Sequence, residues 1–90
     1  MDKKYVINEL LSGDSLAVKE FATIIANARV ELTGTFTLER GTECTINKGV
    51  KADKFTTNGN LSKIWFHDNC EFGSFEPNYC WVTIEEDAKL

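Results

Sequence analysis

Two segments near the N-terminus carry apolar side chains at helical spacing. In 3–11 the four aliphatic positions recur at intervals of one, three and four residues, and Gly13 follows as a terminator. In 15–27 an apolar stripe runs from Val18 to Ile25, and a polar residue that can cap a helix precedes it. The pattern predicts two amphipathic helices over 3–11 and 15–27.

The period of the pattern changes to two in the next segment. Between 29 and 39, apolar and polar residues alternate, and the segment is rich in Val, Thr and Phe, which is typical of a half-buried strand. Gly34 in its middle indicates a bend or bulge. Further apolar alternations bounded by turn residues predict the other strands, at 43–47, 53–57, 61–67 and 79–85.

The dipeptide Asn58-Gly59 is a hairpin signal between two of these strands. A two-residue loop would place Lys54 opposite Lys63, and a three-residue loop would place Phe55 opposite Lys63. The sequence leaves the register between 50 and 66 open. The segment 68–78 is predicted to be a long loop.

Helices followed by strands are typical of an α+β domain. We therefore expect one domain over 1–90, with the two helices packed on one face of a four- or five-stranded, mainly antiparallel sheet. The chain shows no internal repeat and no low-complexity tract.

The negative charge of the chain is concentrated in its last third. The net charge is −4, and residues 61–90 carry six acidic side chains against two lysines. Nucleic-acid binding depends on clustered Lys and Arg, and no such cluster occurs, so direct binding of nucleic acid is unlikely. An acidic region favours a protein partner with a basic surface.

The N-terminus lacks the apolar core of a signal peptide, and no apolar run is long enough to span a membrane. We therefore expect a cytoplasmic protein with no membrane association. The three cysteines would then stay reduced. Whether the chain forms a homo-oligomer is left open.

Aromatic and acidic residues are interleaved between 65 and 81. Six of the ten aromatic residues lie there. Exposed rings among charges are typical of binding hot spots, whereas the same rings can also form a small core beneath a loop. The hypothesis of an exposed surface gives eight partner-binding residues: Trp65, Asp68, Glu71, Phe72, Phe75, Glu76, Tyr79 and Trp81.

Cysteine and histidine offer a metal site and a catalytic pair as less favoured alternatives. The zinc set would be Cys44, His67, Cys70 and Cys80, but the chain has no Cys-x-x-Cys knuckle. A nucleophile and base could be formed by Cys70 and His67, but no known catalytic motif surrounds them. The sequence predicts no cofactor, no metal and no enzymatic activity.

These observations favour a small binding protein that inhibits or regulates a larger protein through an acidic and aromatic surface. Small domains without catalytic motifs are common among phage- and plasmid-encoded inhibitors. This association rests on size and character alone, and a phage origin would make this a viral protein. One alternative is a protein that sequesters a nucleotide by stacking a base on Trp65 or Trp81. Another is a zinc-stabilised interaction module.

Overall fold

The computed structural model describes residues 3–86 and residue 88. These residues form eleven β-strands and no helix. The strands are β1 (Lys4–Ile7), β2 (Leu11–Gly13), β3 (Leu16–Val18), β4 (Thr23–Ala26), β5 (Val30–Leu32), β6 (Thr35–Leu38), β7 (Glu43–Ile46), β8 (Val50–Thr57), β9 (Ser62–Phe66), β10 (Glu71–Glu76) and β11 (Cys80–Ile84).

The strands coil into successive turns that together make a parallel β-solenoid. Sheet A has the order β1-β4-β7-β9-β11, and sheet B consists of β2, β5, β8, β6 and β3, with β10 added beside β8. Every strand pair is parallel, and paired residues are 18 to 20 positions apart in the chain. One turn of the solenoid, a rung, therefore takes about 20 residues.

Alternate residues of each strand point into the solenoid and form its core. In sheet A one inward column contains Ile24, Cys44 and Ile64, all buried. Sheet B contributes phenylalanine rings, and Phe36 meets Phe55 edge to face with the ring centroids 5.7 Å apart. Burying rows of like side chains on successive rungs is what holds the turns together.

Two corners of the rung have features that recur from one rung to the next. After sheet A, Asn47 donates a side-chain hydrogen bond to Asn27 (2.8 Å), and Asn27 donates one to Asn8 (3.1 Å). Before sheet A, the corner residue has a positive φ on successive rungs, as in Phe21 (60°) and Gly41 (69°). These corners let the chain turn sharply between short strands.

The expected α+β fold is wrong, because both predicted helices are strands. The segment 3–11 contains β1 and the start of β2, and 15–27 contains β3 and β4. Strands of three or four residues joined by tight corners place apolar residues three and four positions apart, which imitates a helical stripe. The corner at Phe21 interrupts the run that the sequence suggested was continuous.

The antiparallel sheet is wrong as well. Asn58-Gly59 forms a corner between sheet B and sheet A, so β8 and β9 belong to different sheets and make no hairpin in either register. The segment 68–78, predicted as a loop, contains the strand Glu71–Glu76. The structure also contains a repeat of about 20 residues where the sequence predicts none, because burial recurs from rung to rung whereas residue type recurs at only a few positions, such as Asn27 and Asn47.

Candidate functional site

The outer surface of sheet A presents two tryptophans on its last two strands. Trp65 on β9 and Trp81 on β11 point outward and are 45% and 60% exposed. In the parallel register Trp81 lies opposite Lys63, and Trp65 lies opposite Thr83. The two rings therefore sit diagonally, with their Cα atoms roughly 8 Å apart from strand spacing and rise alone.

A groove adjoins Trp81 at the corner before sheet A. It has a volume of about 320 Å³ and is lined by Asn60, Leu61, Tyr79, Cys80 and Trp81. Leu61 and Tyr79 are 48% and 85% exposed. We call the four residues Leu61, Trp65, Tyr79 and Trp81 the aromatic face.

Tyr79 and Leu61 stand at corner positions with strained backbones. Their φ values are 50° and 67°, in the left-handed region where a side chain costs energy and glycine does not. Gly41 occupies the same corner one rung before Leu61, at φ 69°. The chain thus keeps a large side chain at Tyr79 where neither backbone relaxation nor burial favours one.

Two basic side chains adjoin the aromatic face. The Lys63 ammonium lies 5.7 Å from the centroid of the Trp81 ring. Arg40 lies beside Tyr79 in a second depression of the same corner, and its guanidinium is 5.6 Å from the Phe21 ring. Cations over ring faces stabilise the rings in an exposed position by about 0.5–1 kcal/mol.

The eight residues predicted from the sequence separate into two groups. Trp65, Tyr79 and Trp81 belong to the aromatic face. The other five, Asp68, Glu71, Phe72, Phe75 and Glu76, lie on or next to β10, at the C-terminal end of sheet B. The structure does not combine the tryptophans and these carboxylates into one surface.

Phe72 and Phe75 point into the solenoid. The Phe75 ring stacks on Phe55 at 4.9 Å, and Phe72 lies 6.0 Å from Phe66. Together with Phe36 these four rings form what we call the phenylalanine core. Phe72 and Phe75 are only half-buried because β10 is the last described strand of sheet B.

The three carboxylates of the second group point outward. Glu71 lies opposite Lys51 in the register, and the Glu76 carboxylate is 3.6 Å from the Lys54 ammonium. Asp68 accepts a hydrogen bond from the Asn69 backbone N–H (2.7 Å). These acids are ordinary solvated side chains in local contacts.

Burial disfavours the thiolate form of the three cysteines. The interior position of Cys44 raises its pKa far above the ordinary value, and burial raises the pKa of Cys70 to about 11. Burial also raises the pKa of Cys80. These shifts lower the share of thiolate, which is the nucleophilic form of cysteine.

The polar contact of His67 is with a carboxylate and not with a cysteine. Its Nδ1 lies 3.1 Å from a carboxylate oxygen of Glu85, and the Cys70 thiol donates instead to the Asp68 carbonyl. No group of three His, Cys, Asp or Glu side chains within 3–86 and 88 is arranged to hold a metal ion. The zinc set and the Cys70–His67 pair thus gain no geometric support.

The eight residues predicted for the site do not include Leu61 or Lys63. The predicted strand 61–67 begins at Leu61, but in the structure Leu61 occupies the corner beside Tyr79. The available signal was its distance of about one rung from Gly41. Lys63 becomes a neighbour of Trp81 only through the parallel register.

No family model, curated protein or solved structure matches this chain. Within the described residues there is also no helix that could cross a membrane. The function must therefore be argued from the site itself.

Proposed function

We propose that this chain is a non-enzymatic binding protein that recognises another protein through the aromatic face. Large rings that are exposed side by side, with a polar surrounding, are the side chains that supply most of the energy of protein interfaces. Tyrosine and tryptophan also lose little conformational entropy on binding. Covering a functional surface of its partner would make the chain an inhibitor or regulator.

One observation carries this proposal: Tyr79 is 85% exposed at a φ of 50°. A strained backbone costs about 1–3 kcal/mol, and such costs concentrate at functional sites. A glycine at this corner would remove the strain, as at Gly41. Phe21 and Leu61 share the positive φ at this corner but are 42% and 48% exposed, so it is the greater exposure of Tyr79 that points to a contact that the isolated chain does not make.

The carboxylates have a separate role in the proposal. Five of them lie between residues 67 and 86, a stretch without Lys or Arg, at the C-terminal end of the solenoid. They attract a partner with a basic surface over distances of about 10 Å, whereas the aromatic face supplies the close contact.

The test is Tyr79→Gly, compared with the wild type in binding and in folding. We expect the variant to be as stable as the wild type or more stable, by about 0–1 kcal/mol, because glycine relaxes the corner. Partner affinity should fall at least about tenfold, since the loss of a hot-spot ring costs about 2 kcal/mol or more. The partner is first isolated by affinity purification with the wild-type chain, and its affinity is then measured by calorimetry.

Thr37→Ala is the matched control, because Thr37 points outward from β6 on the opposite sheet. It should bind the isolated partner with wild-type affinity. Equal affinities for Tyr79→Gly and the wild type would overturn the proposal. A variant that unfolds would show instead that the Tyr79 ring is structural.

A further inference from the structure

Both ends of sheet A are open among the residues that the structure describes. The first strand, β1, pairs only with β4, and the last strand, β11, pairs only with β9. The Glu85 N–H donates to the Phe66 carbonyl at 2.9 Å. Because backbone groups of a parallel strand alternate between its two sides, the N–H groups of Val82 and Ile84 point to the open edge.

Apolar side chains are exposed at each of these ends. At the N-terminal end Tyr5 of β1 is 48% exposed, and Ile7 is only partly buried. At the C-terminal end Ile84 of β11 is 46% exposed, and Val82 is only partly buried. In the inner rungs the equivalent inward positions, such as Ile64 and Phe66, are fully buried.

The corner after sheet A has complementary polar groups at the two ends. The asparagine ladder has a direction, since each amide nitrogen donates to the asparagine of the preceding rung. Asn8 therefore ends the ladder with a free donor, and Glu85 holds the equivalent position of the last rung with an acceptor.

We propose that copies of this chain associate end to end, with β1 of one copy adding in parallel to β11 of another. If the register of sheet A continues across the contact, Lys4 of the second copy lies over Trp81, as Lys63 does from the other side. Tyr5 and Ile7 of the second copy then cover Val82 and Ile84. Such a contact joins two different surfaces, so it does not close into a dimer and continues into longer assemblies.

This inference does not rest on the proposed function, because it is argued from the strand edges, although Lys4 of the second copy lies beside Trp81 of the aromatic face. Its occupant is a second copy rather than another protein for a specific reason. The chain's own first strand supplies the apolar pattern and the amide donor that match the open edge of the last strand.

Blocking one strand edge at a time tests the inference. One variant carries Val6→Pro on β1 and the other carries Ile84→Pro on β11, because each of these N–H groups points to the open edge and proline cannot donate there. The mass of each protein is measured by light scattering after gel filtration, from about 10 µM to about 1 mM, the range of a weak contact. We expect the wild-type mass to rise with concentration beyond that of two chains, and each variant to stay at one chain.

Mixing the two variants should give a mass of two chains and no more, because each variant keeps the edge that the other has lost. This association also shows that both variants are folded. The inference is overturned if the wild type keeps the mass of one chain, 10.1 kDa, across the range. It is also overturned if the mixture of variants fails to associate, or if Trp65→Ala abolishes association, which would indicate a dimer through the aromatic face.

Discussion

The phenylalanine core and the aromatic face are built from overlapping parts of the chain, yet they have opposite surroundings. Phe66 is 0% exposed and Trp65, the preceding residue, is 45% exposed. Both lie on β9, where successive side chains point to opposite faces. A ring's place in the two-residue alternation, and not the local density of rings, decides whether the ring stabilises the fold or is available for binding.

The difference extends to the neighbours of the rings. In the phenylalanine core each ring contacts other rings, with Phe55 touching four of them between 4.9 and 6.4 Å. In the aromatic face the ring contact that the structure gives for Trp81 is the Lys63 ammonium. A packed cluster resists substitution, whereas an open one tolerates it.

The largest expected effect is that of Phe66→Ala. Its ring lies about 6 Å from those of Phe72 and Phe75 and is fully enclosed. Removal leaves a cavity and should lower the free energy of unfolding by about 3–5 kcal/mol. Urea denaturation followed by circular dichroism measures this loss, and a loss below about 1 kcal/mol would contradict the enclosed position of the ring.

The alternation along single strands could be predicted from the sequence, but the way the strands combine could not. Inward parity was assigned correctly to Cys44 and Ile46 and to Cys80 and Val82. Those assignments need only the two-residue period, which is local. Sheet partners about 20 residues away depend on the corners, and the corner residues of successive rungs differ in type, as Gly41 and Leu61 do.

A periodic signal was nevertheless present at the polar corner. Asn8, Asn27 and Asn47 are spaced by one rung, and Val30 and Val50 follow two of them at the same distance. The short strands obscure this period, because three apolar residues around a corner have a spacing that is expected of a helix as well as of a solenoid. For the candidate site, the sequence predicts three of the four residues of the aromatic face, but not Leu61 or the groove that Leu61 lines with Tyr79 and Trp81.

Alkaline pH is expected to have a smaller effect on stability, through the buried thiol of Cys70. The pKa of Cys70 is raised to about 11, so the folded state keeps its proton where the unfolded state, with an ordinary pKa near 9.0, loses it. The stabilisation is complete below pH 9, and it decreases as the pH rises from 9 towards 11.

The measurement compares the wild type with Cys70→Ala in the presence of a reductant. Across this interval the wild type should lose about 1–2 kcal/mol more than the variant. The difference between the two proteins removes the contributions of lysine and tyrosine titration, which both share. Parallel pH profiles would show that the thiol ionises as easily in the folded state as in the unfolded state.

The smallest effect on stability is expected for Trp65→Ala. The ring is almost half exposed, on the outer face of sheet A. Alanine has a lower strand preference than tryptophan, and this costs about 0.5–1 kcal/mol. Urea denaturation should therefore give a change several times smaller than that of Phe66→Ala on the next residue, although the deleted side chain is larger. If the two losses were equal, the outward side of sheet A would be a second core, and the rings of the aromatic face would be needed for folding rather than for recognition.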